Sequence, residues 1–350
     1  MSASPGPGYA APARQRPRRP IGLAELADRV GVSVPTVSKV LHGRPDVAPA
    51  TRSRVLAAID EFGRPRLSRP GRPAPRREAL ELLFYELEST WAIQILWGVQ
   101  QAAMDSGVSV LLSGLESRFF PPDEWIQEVV HRRPLGVIFA LTQSTPVQRR
   151  WLADADIPAV TLDPPRAPAA DQPRVSAANR HGAREATEHL IALGHRRIAL
   201  VAGPEAIPCA KDRQEGYRAA LADTSLAPLV RSGNMNADDG AVLARDLLRL
   251  PDPPTAIVAS NDLQAMGVYT AAREAGLAIP DELSVVGFDN LSVARWMAPA
   301  LTTIHQPLQD MAVAATDLVL RLAWGNPIPS VQLELDTHLV LRGSTAPPQS

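Results

Sequence analysis

From Ala79 onward, short apolar runs alternate with longer segments at helical spacing, and this alternation limits the fold more than any other feature of the chain. Apolar runs predict strands at Ala79–Tyr85, Val108–Leu112, Leu135–Ala140 and Ala159–Leu162 in a first half, then at Ile198–Ala202, Ala256–Ala259 and Ser284–Phe288 in a second. Helical spacing covers Trp91–Ser106, Glu124–Arg132, Ala183–Leu193, Arg213–Ala222, Gly240–Leu250, Gln264–Ala275 and Leu308–Trp324. Strands alternating with helices favour parallel sheets in doubly wound lobes. Ligands of such sheets bind beyond the carboxyl ends of the strands, so two lobes would bring those ends together across a cleft. No internal repeat is plain enough to prove two lobes from the sequence alone.

The residues before Ala79 follow a different rule. Leu23, Leu26, Ala27 and Val30 fall at helical spacing, and Gly31 follows where the chain must turn sharply. Ser33 is placed to cap a second helix with Pro35 in its first turn and an apolar face of Val37, Val40 and Leu41. A third helix follows, with Pro49 in its first turn, a stripe of Val55, Ile59 and Phe62, and an end at Gly63. Three short helices with a glycine turn between the first two make a helix-turn-helix pattern, whose second helix lies in the major groove of DNA. An ordinary helical bundle shares the spacing, and charge separates the two readings. Residues 1–77 hold 15 Arg or Lys against 5 Asp or Glu, and the remainder holds 21 against 32, so a basic head precedes an acidic body. That asymmetry points to a polyanion at one end only.

Other classes are excluded or disfavoured by what is missing. A prior of roughly 150 residues per domain divides 350 residues into two or three units. No apolar stretch reaches the ~18 residues of a membrane span, and the Pro-, Arg- and Ala-rich start has no signal-peptide core, so a cytoplasmic protein with no membrane partner is expected. Cys209 is the only cysteine, which rules out an intrachain disulfide framework and a cysteine-rich zinc site. The phosphate-loop, G-x-G-x-x-G and G-x-S-x-G patterns are absent, the histidines lack metal spacing, and Lys39 and Lys211 are the only lysines. No catalysis, metal or cofactor is therefore expected.

The run LAELADRVGVSVPTVSKVLHG, from Leu23 to Gly43, and the following TRSRVLAAIDEFG resemble the head of the lactose-repressor (LacI/GalR) family. HLIALGHRRIALVAGP, GYRAAL, PTAIVASNDLQAMGV, PDELSVVGFDN, PALTTIHQPL and the terminal LVLRGST resemble its body in the expected order. The resemblance implies a three-helix helix-turn-helix domain over 21–63 and a two-lobed α/β domain over 78–342, similar to periplasmic sugar-binding proteins. Its first lobe is expected near 79–177 plus a late return, and its second near 178–305. Residues 1–20 and 343–350 are expected as disordered tails, and 64–77 as a hinge.

By the same resemblance, Val34, Pro35 and Lys39 face bases, while Thr36, Ser38 and His42 lie nearer the backbone. Lys39 can donate to guanine but lacks the planar fork of an arginine. Arg52 and Arg54 are expected on phosphates, which position a protein without reading sequence. Ala48 stands where the family usually has a capping serine. The hinge departs from the family, which places a short helix there and a leucine in the minor groove. Here RPRLSRPGRPAPRR carries Pro65, Pro70, Pro73 and Pro75, which oppose two helical turns and leave Leu67 as the only apolar wedge. The segment RPGRP loosely resembles a minor-groove AT-hook core and makes Arg69 and Arg72 candidates for an extended arm. A solvated Pro-Arg linker is the competing reading.

In the body, Arg213 precedes Gly216-Tyr217 at the spacing of the family's ligand-binding arginine, and Asp163, Asn261 and Asp289 follow strands. Sugars present vicinal hydroxyls that Asp, Asn and Arg pair well, although Asp and Asn after a strand also cap helices. Trp91, just after the first strand, is a candidate platform for a sugar face; Trp125 and Trp296 are weaker candidates, and Trp125 fits a core position. Met235 stands where relatives often carry an aromatic ring, which leaves the ligand class open. The combined expectation is a homodimeric transcriptional repressor of double-stranded operator DNA, controlled by a small sugar or oligosaccharide between the lobes. A nucleobase or other non-sugar effector is the alternative.

Overall fold

A computed structural model describes residues 23–41, 47–62, 79–85, 87, 89–115, 119–167, 169, 171–328 and 330–349. The chain divides into two compact units, residues 1–76 and 77–350. The first contains α1 (Leu23–Val30), α2 (Val34–Leu41) and α3 (Pro49–Phe62). Gly31 turns the chain between α1 and α2 at φ +65°, a conformation that a Cβ disfavours. Ser33 caps α2 as its position predicts, its Oγ accepting from the Thr36 amide at 3.4 Å. Leu26, Ala27, Val37, Val40 and Val55 form the buried centre of the head. The tail 1–22, His42 and the hinge 64–77 with Leu67, Arg69 and Arg72 lie outside the described residues.

The second unit runs β1 (Ala79–Tyr85), α4 (Thr90–Asp105), β2 (Ser109–Leu115), α5 (Asp123–Arg132), β3 (Gly136–Ala140), α6 (Pro146–Asp154), β4 (Ala159–Leu162) and β5 (Arg174–Ala177). It continues with α7 (Asn179–Ala192), β6 (Ile198–Ala202), α8 (Pro208–Ala222), β7 (Leu229–Ser232), α9 (Ala237–Leu248), β8 (Ala256–Ala259), α10 (Asp262–Glu274) and β9 (Ser284–Asp289). After a short turn of 3-10 helix come β10 (Thr302–His305), α11 (Leu308–Ala323), β11 (Gln332–Leu335) and β12 (His338–Val340). One sheet has the order β11-β5-β4-β3-β1-β2 and is wholly parallel. The other has the order β12-β10-β9-β8-β6-β7, parallel except for β12 against β10. The two-lobed α/β class implied by the resemblance, with the parallel sheets read from the alternation, is therefore the observed one.

The chain crosses between lobes between β5 and α7, between β10 and α11, and between β11 and β12. The late return is α11, which packs Leu308, Met311, Ala315 and Val319 into the core beneath β1, β3 and β4. In each sheet the order reverses at one point, between β1 and β3 and between β6 and β8. Crevices open beyond the strand ends at such points.

The pattern reading missed the elements that are short, polar or at an edge. β5, β7, β10, β11 and β12 are four residues or fewer and carry Arg, Ser, Thr, Gln, Glu or His, so no apolar run marks them. α6 is announced by a capping box of Thr145 and Gln148 rather than by an apolar face. α8 starts at Pro208, which puts Arg213 inside the helix instead of at its start. One expectation is overturned: residues 343–349 are not a disordered tail. Ser344 is fully buried; its carbonyl accepts from the Val285 amide at 2.8 Å, and its Oγ accepts from the Thr302 amide at 2.8 Å. The Ala346 amide donates to Ser284 Oγ at 3.0 Å. The segment supplies partners to backbone groups at the start of β9 and β10, and that need for pairing holds it in place. No helix among the described residues is long and apolar enough to cross a membrane.

Candidate functional site

On the head, α2 carries Val34, Pro35, Thr36, Ser38 and Lys39. The side chains of Val34, Pro35 and Ser38 lie outside the described residues. Lys39 is exposed, and Thr36 is half-buried with its hydroxyl 2.8 Å from Ser33 Oγ. Arg52 is half-buried on α3. Arg54 has a role the sequence reading did not foresee, because its Nη2 donates to the Val30 carbonyl at 2.7 Å. That carbonyl belongs to the last turn of α1, so Arg54 fastens α3 to an orphan acceptor at a helix end.

In the body, the strand ends of both lobes meet around one pocket. Trp91, Asp163, Arg213, Asn261 and Asp289 all line it, together with Ser89, Cys209, Met235 and an apolar wall that includes Leu141, Ile207, Leu263 and Leu291. Its cavity volume is about 70 Å³. Ligand pockets run to ~300–1,000 Å³, so the cleft is narrow in this arrangement of the lobes. Strand ends here depart from ordinary backbone. Leu141, Asp163, Asp289 and Asn290 have φ of 56°, 45°, 99° and 54°. Each such non-glycine residue costs of order 1–3 kcal/mol and persists where the surroundings dictate it, which is a habit of binding sites.

Arg213 is the hub. It is 3% exposed, projects from α8 and stacks its guanidinium 3.6 Å from the centre of the Phe288 ring. Its Nε donates to Asn179 Oδ1 at 2.8 Å, its Nη1 to the Ser260 carbonyl, and its Nη2 to Gln306 Oε1 at 3.0 Å. Nη2 also lies 3.1 Å from Asp289 Oδ1. That oxygen nevertheless lacks a directed hydrogen bond, so the pair is joined by charge rather than by alignment. α8 reaches this position because Gly216 lets it press on α7; a Cβ at Gly216 would collide with the Arg180 carbonyl.

Asp163 stands just past β4 on the first lobe, with Oδ2 accepting from Gln306 Nε2 at 2.8 Å and Oδ1 buried without a partner. Burial pushes its carboxyl up to about 6, against the opposing pull of Arg213 and Gln306, and Asp212 adds to the rise. Burial likewise raises Asp289 to about 6; Arg213 opposes the rise and Asp163 adds to it. A third carboxylate lies behind them. Asp262 accepts from the Leu291 amide at 2.7 Å and from Thr303 Oγ1 at 2.6 Å, and burial and Asp289 raise it well above the usual range.

Asn261 and Trp91 line the pocket and also have partners within the fold. Asn261 caps α10, with Oδ1 accepting from the Gln264 amide at 2.8 Å and Nδ2 donating to the Met235 carbonyl at 3.0 Å. Trp91 is 8% exposed and meets Phe84 edge-on at 6.5 Å, so it offers the pocket part of a core side chain. Trp125 packs on Phe139, Trp296 is exposed, and neither lines the pocket. The reading missed Asn179, Ser260 and Gln306, the neutral groups that fix Arg213 and Asp163. Asn179 opens a helix after an unrecognised strand, and Gln306 lies on a crossing between lobes; neither residue type carries a signal of its own.

A family model for bacterial regulatory proteins of the lacI family matches residues 22–63, and one for a periplasmic binding protein-like domain matches residues 187–345. Over 325 residues the chain is 30% identical to the ribose operon repressor of Halalkalibacterium halodurans, covering 92% of this chain and 96% of the relative. The solved complex of the transcriptional regulator CelR with cellobiose is similar at TM-score 0.70 and 30% identity, over 93% of this chain and 100% of that one. The lac repressor dimer bound to operator and the anti-inducer ONPF is similar at TM-score 0.70 and 28% identity, over 94% and 100% respectively.

Proposed function

We propose, from the premise that this chain belongs to the lacI family of bacterial regulatory proteins, that it is a transcriptional repressor whose affinity for operator DNA is set by a small sugar held between its two lobes. The observation that carries the reading is a pocket shared by both lobes, with Asp163 from the first facing Arg213 and Asp289 from the second. A ligand there contacts both lobes at once. It therefore distinguishes lobe arrangements by differential affinity, which is the only way binding shifts such an equilibrium.

On this reading the protein acts as a homodimer, as the similar lac repressor does on its operator, with each α2 in the major groove of one half-site. Lys39 reads a base, while Arg52 meets phosphate. The apolar wall and Met235 favour a second reading, in which a planar heterocycle such as a nucleobase takes the sugar's place. Gel shifts on the upstream region of its own gene test the regulator. The full chain should bind, residues 78–350 should not, and both should bind the same effector by calorimetry. Cellobiose, ribose and free nucleobases form the first panel. DNA binding by residues 78–350 would overturn the modular reading.

A further inference from the structure

Asn290 follows Asp289 out of β9, and the two have φ of 54° and 99°. The Asn290 side chain is clamped at both ends. Arg342 Nη2 donates to its Oδ1, while Arg342 Nη1 donates to the Leu301 carbonyl at 2.6 Å. A guanidinium carries donors only, so the atom facing it must be the amide oxygen. The amide nitrogen then faces His305 Nδ1 at 3.1 Å and donates to it. An Nδ1 that accepts carries no proton, which leaves the proton on Nε2 and the ring neutral.

This ring stands on the hinge between the lobes. His305 ends β10, and Gln306 and Pro307 then carry the chain to α11 of the first lobe. His338 opens β12 after the chain has crossed back, and register sets it opposite His305, with ring centres 4.9 Å apart. On its other side β10 pairs with β9, which sets His305 opposite Asp289. His305 also borders a cavity of about 480 Å³ that Arg295 and Asp310 line. Its charged surroundings are thus His338 on β12, Arg342 beyond Asn290, Arg295 across the cavity, Asp289 on β9 and Asp310 on α11. Burial holds the ring below the ordinary 6.5, His338 acts in the same direction, and Asp310 opposes them. A histidine kept neutral by the fold contributes stability that is full above 6.5 and is lost as pH falls through the folded value.

We infer that His305 is a positioning residue for the end of β9: neutral, it holds Asn290 and with it the backbone that carries Asp289, and protonated, it lets both go. Protonation sets an N–H against an N–H. Asn290 cannot answer by flipping its amide, because Arg342 would then face a donor. The proton also adds positive charge beside His338, between the two strands that lead across to the first lobe. That this weakens the effector rests on the reading of the Asp289 pocket as the effector site. One hydrogen bond of this kind shifts an equilibrium by about threefold to tenfold, and that is the loss of affinity expected from the His305 proton alone.

The test has one arm without ligand and one with it. In the first, NMR follows ring-labelled histidine and the side-chain amides of the full chain across the acid range, and the signals lost in His305→Gln and Asn290→Ala identify the pair. The His305 ring should titrate below 6.5, the Asn290 amide should move with it at the same midpoint, and His338→Gln should raise that midpoint. A wild-type ring that titrates at 6.5 or above, or an Asn290 amide that ignores the ring, would overturn the proposal. In the second arm, cellobiose and ribose are titrated by calorimetry at pH 7.5 and pH 5. His305→Gln supplies an amide oxygen that accepts from Asn290 at either pH, so between them it should lose about threefold to tenfold less affinity than wild type. Equal losses would also overturn the proposal, since Asp163 and Asp289 titrate in both proteins. Failure of both sugars to bind counts against the sugar reading alone, and the ring and amide titrations then decide the positioning role.

Discussion

Replacing Arg213 by alanine removes the cation from between two buried carboxylates. The variant loses bonds to Asn179 at 2.8 Å, to the Ser260 carbonyl and to Gln306 at 3.0 Å, the 3.1 Å ion pair with Asp289, and the stack on Phe288. Breaking a buried pair by removing one partner destabilises by about 3–5 kcal/mol, because the remaining charge is uncompensated. For a unit of this size a loss of 1 kcal/mol lowers Tm by about 2–4 °C, so the defect at pH 7.5 should be about 10 °C. Acid should relieve it. Asp163 and Asp289 have folded-state values of about 6, above the ordinary 3.8, and Arg213 opposes the rise in both. A carboxyl raised in the folded state contributes stability that is full below its unfolded value and is lost as pH rises through its folded value. Without Arg213 the folded values climb further, so at pH 5 both carboxyls are neutral and the variant lacks the hydrogen bonds and the ring stack but leaves no uncompensated charge. The defect at pH 5 should therefore be smaller than at pH 7.5 by several degrees. Differential scanning calorimetry of wild type and variant at both pH values measures the difference. A defect of equal size at pH 5 and 7.5 would refute the reasoning, as would an Arg213→Ala/Asp289→Asn double variant no more stable at pH 7.5 than additivity allows.

Effector affinity should rise about tenfold from pH 5 to 7.5, since donors from the ligand favour the ionised forms of Asp163 and Asp289; titrations across that range that stay flat would contradict it. On DNA, Lys39→Ala should relax preference at one base pair per half-site by about 1–3 kcal/mol, whereas Arg52→Ala should weaken all sequences alike, as specificity profiles would report. Arg54→Ala should lower the melting temperature of the head, because Arg54 ties α3 to the Val30 carbonyl. In the hinge, Arg69→Ala and Arg72→Ala should reduce affinity more than Leu67→Ala, and more on operators with central A·T pairs than G·C, given that each interior proline opposes a helix by about 3 kcal/mol. A larger loss from Leu67→Ala would restore the wedge.

The central strands were legible because strands inside a parallel sheet are buried on both faces and read as apolar runs, as in β3 with Gly136–Ala140 or β6 with Ile198–Ala202. β10, with the sequence TTIH, is a strand only because β9 and β12 pair with it, and pairing leaves no local signature. The site divides along a similar line. Asp163 and Asp289 could be singled out because they follow strands, and Arg213 because its spacing to Gly216-Tyr217 resembles that of the family's ligand-binding arginine. Gln306 could not, because an amide becomes a bridge only when the fold sets a carboxylate and a guanidinium on either side of it. Asn261 lies at the pocket as its position anticipated, and its side chain also bonds the Gln264 amide of α10 and the Met235 carbonyl.

Gln306 also sets how much switching the pocket can supply. It lies on the crossing between β10 and α11, and holds Asp163 of one lobe and Arg213 of the other with one side chain. Protein contacts thus already satisfy one oxygen of Asp163, and that bond exists before any ligand contributes. What a ligand adds at Asp163 falls on Oδ1, which has no hydrogen bond, and its contribution on the other lobe falls on the Asp289 carboxylate, whose Oδ1 lies 3.1 Å from Arg213 Nη2. Hydrogen bonds to charged groups contribute about 1.5–3 kcal/mol each, so the pair offers about 3–6 kcal/mol. Moving a two-state equilibrium from 1:99 to 99:1 needs about 5.5 kcal/mol of differential binding. One oxygen would be too few for a full switch, and two reach it only when the ligand engages both lobes together. A compound that binds a single carboxylate should therefore occupy the pocket and leave DNA affinity nearly unchanged.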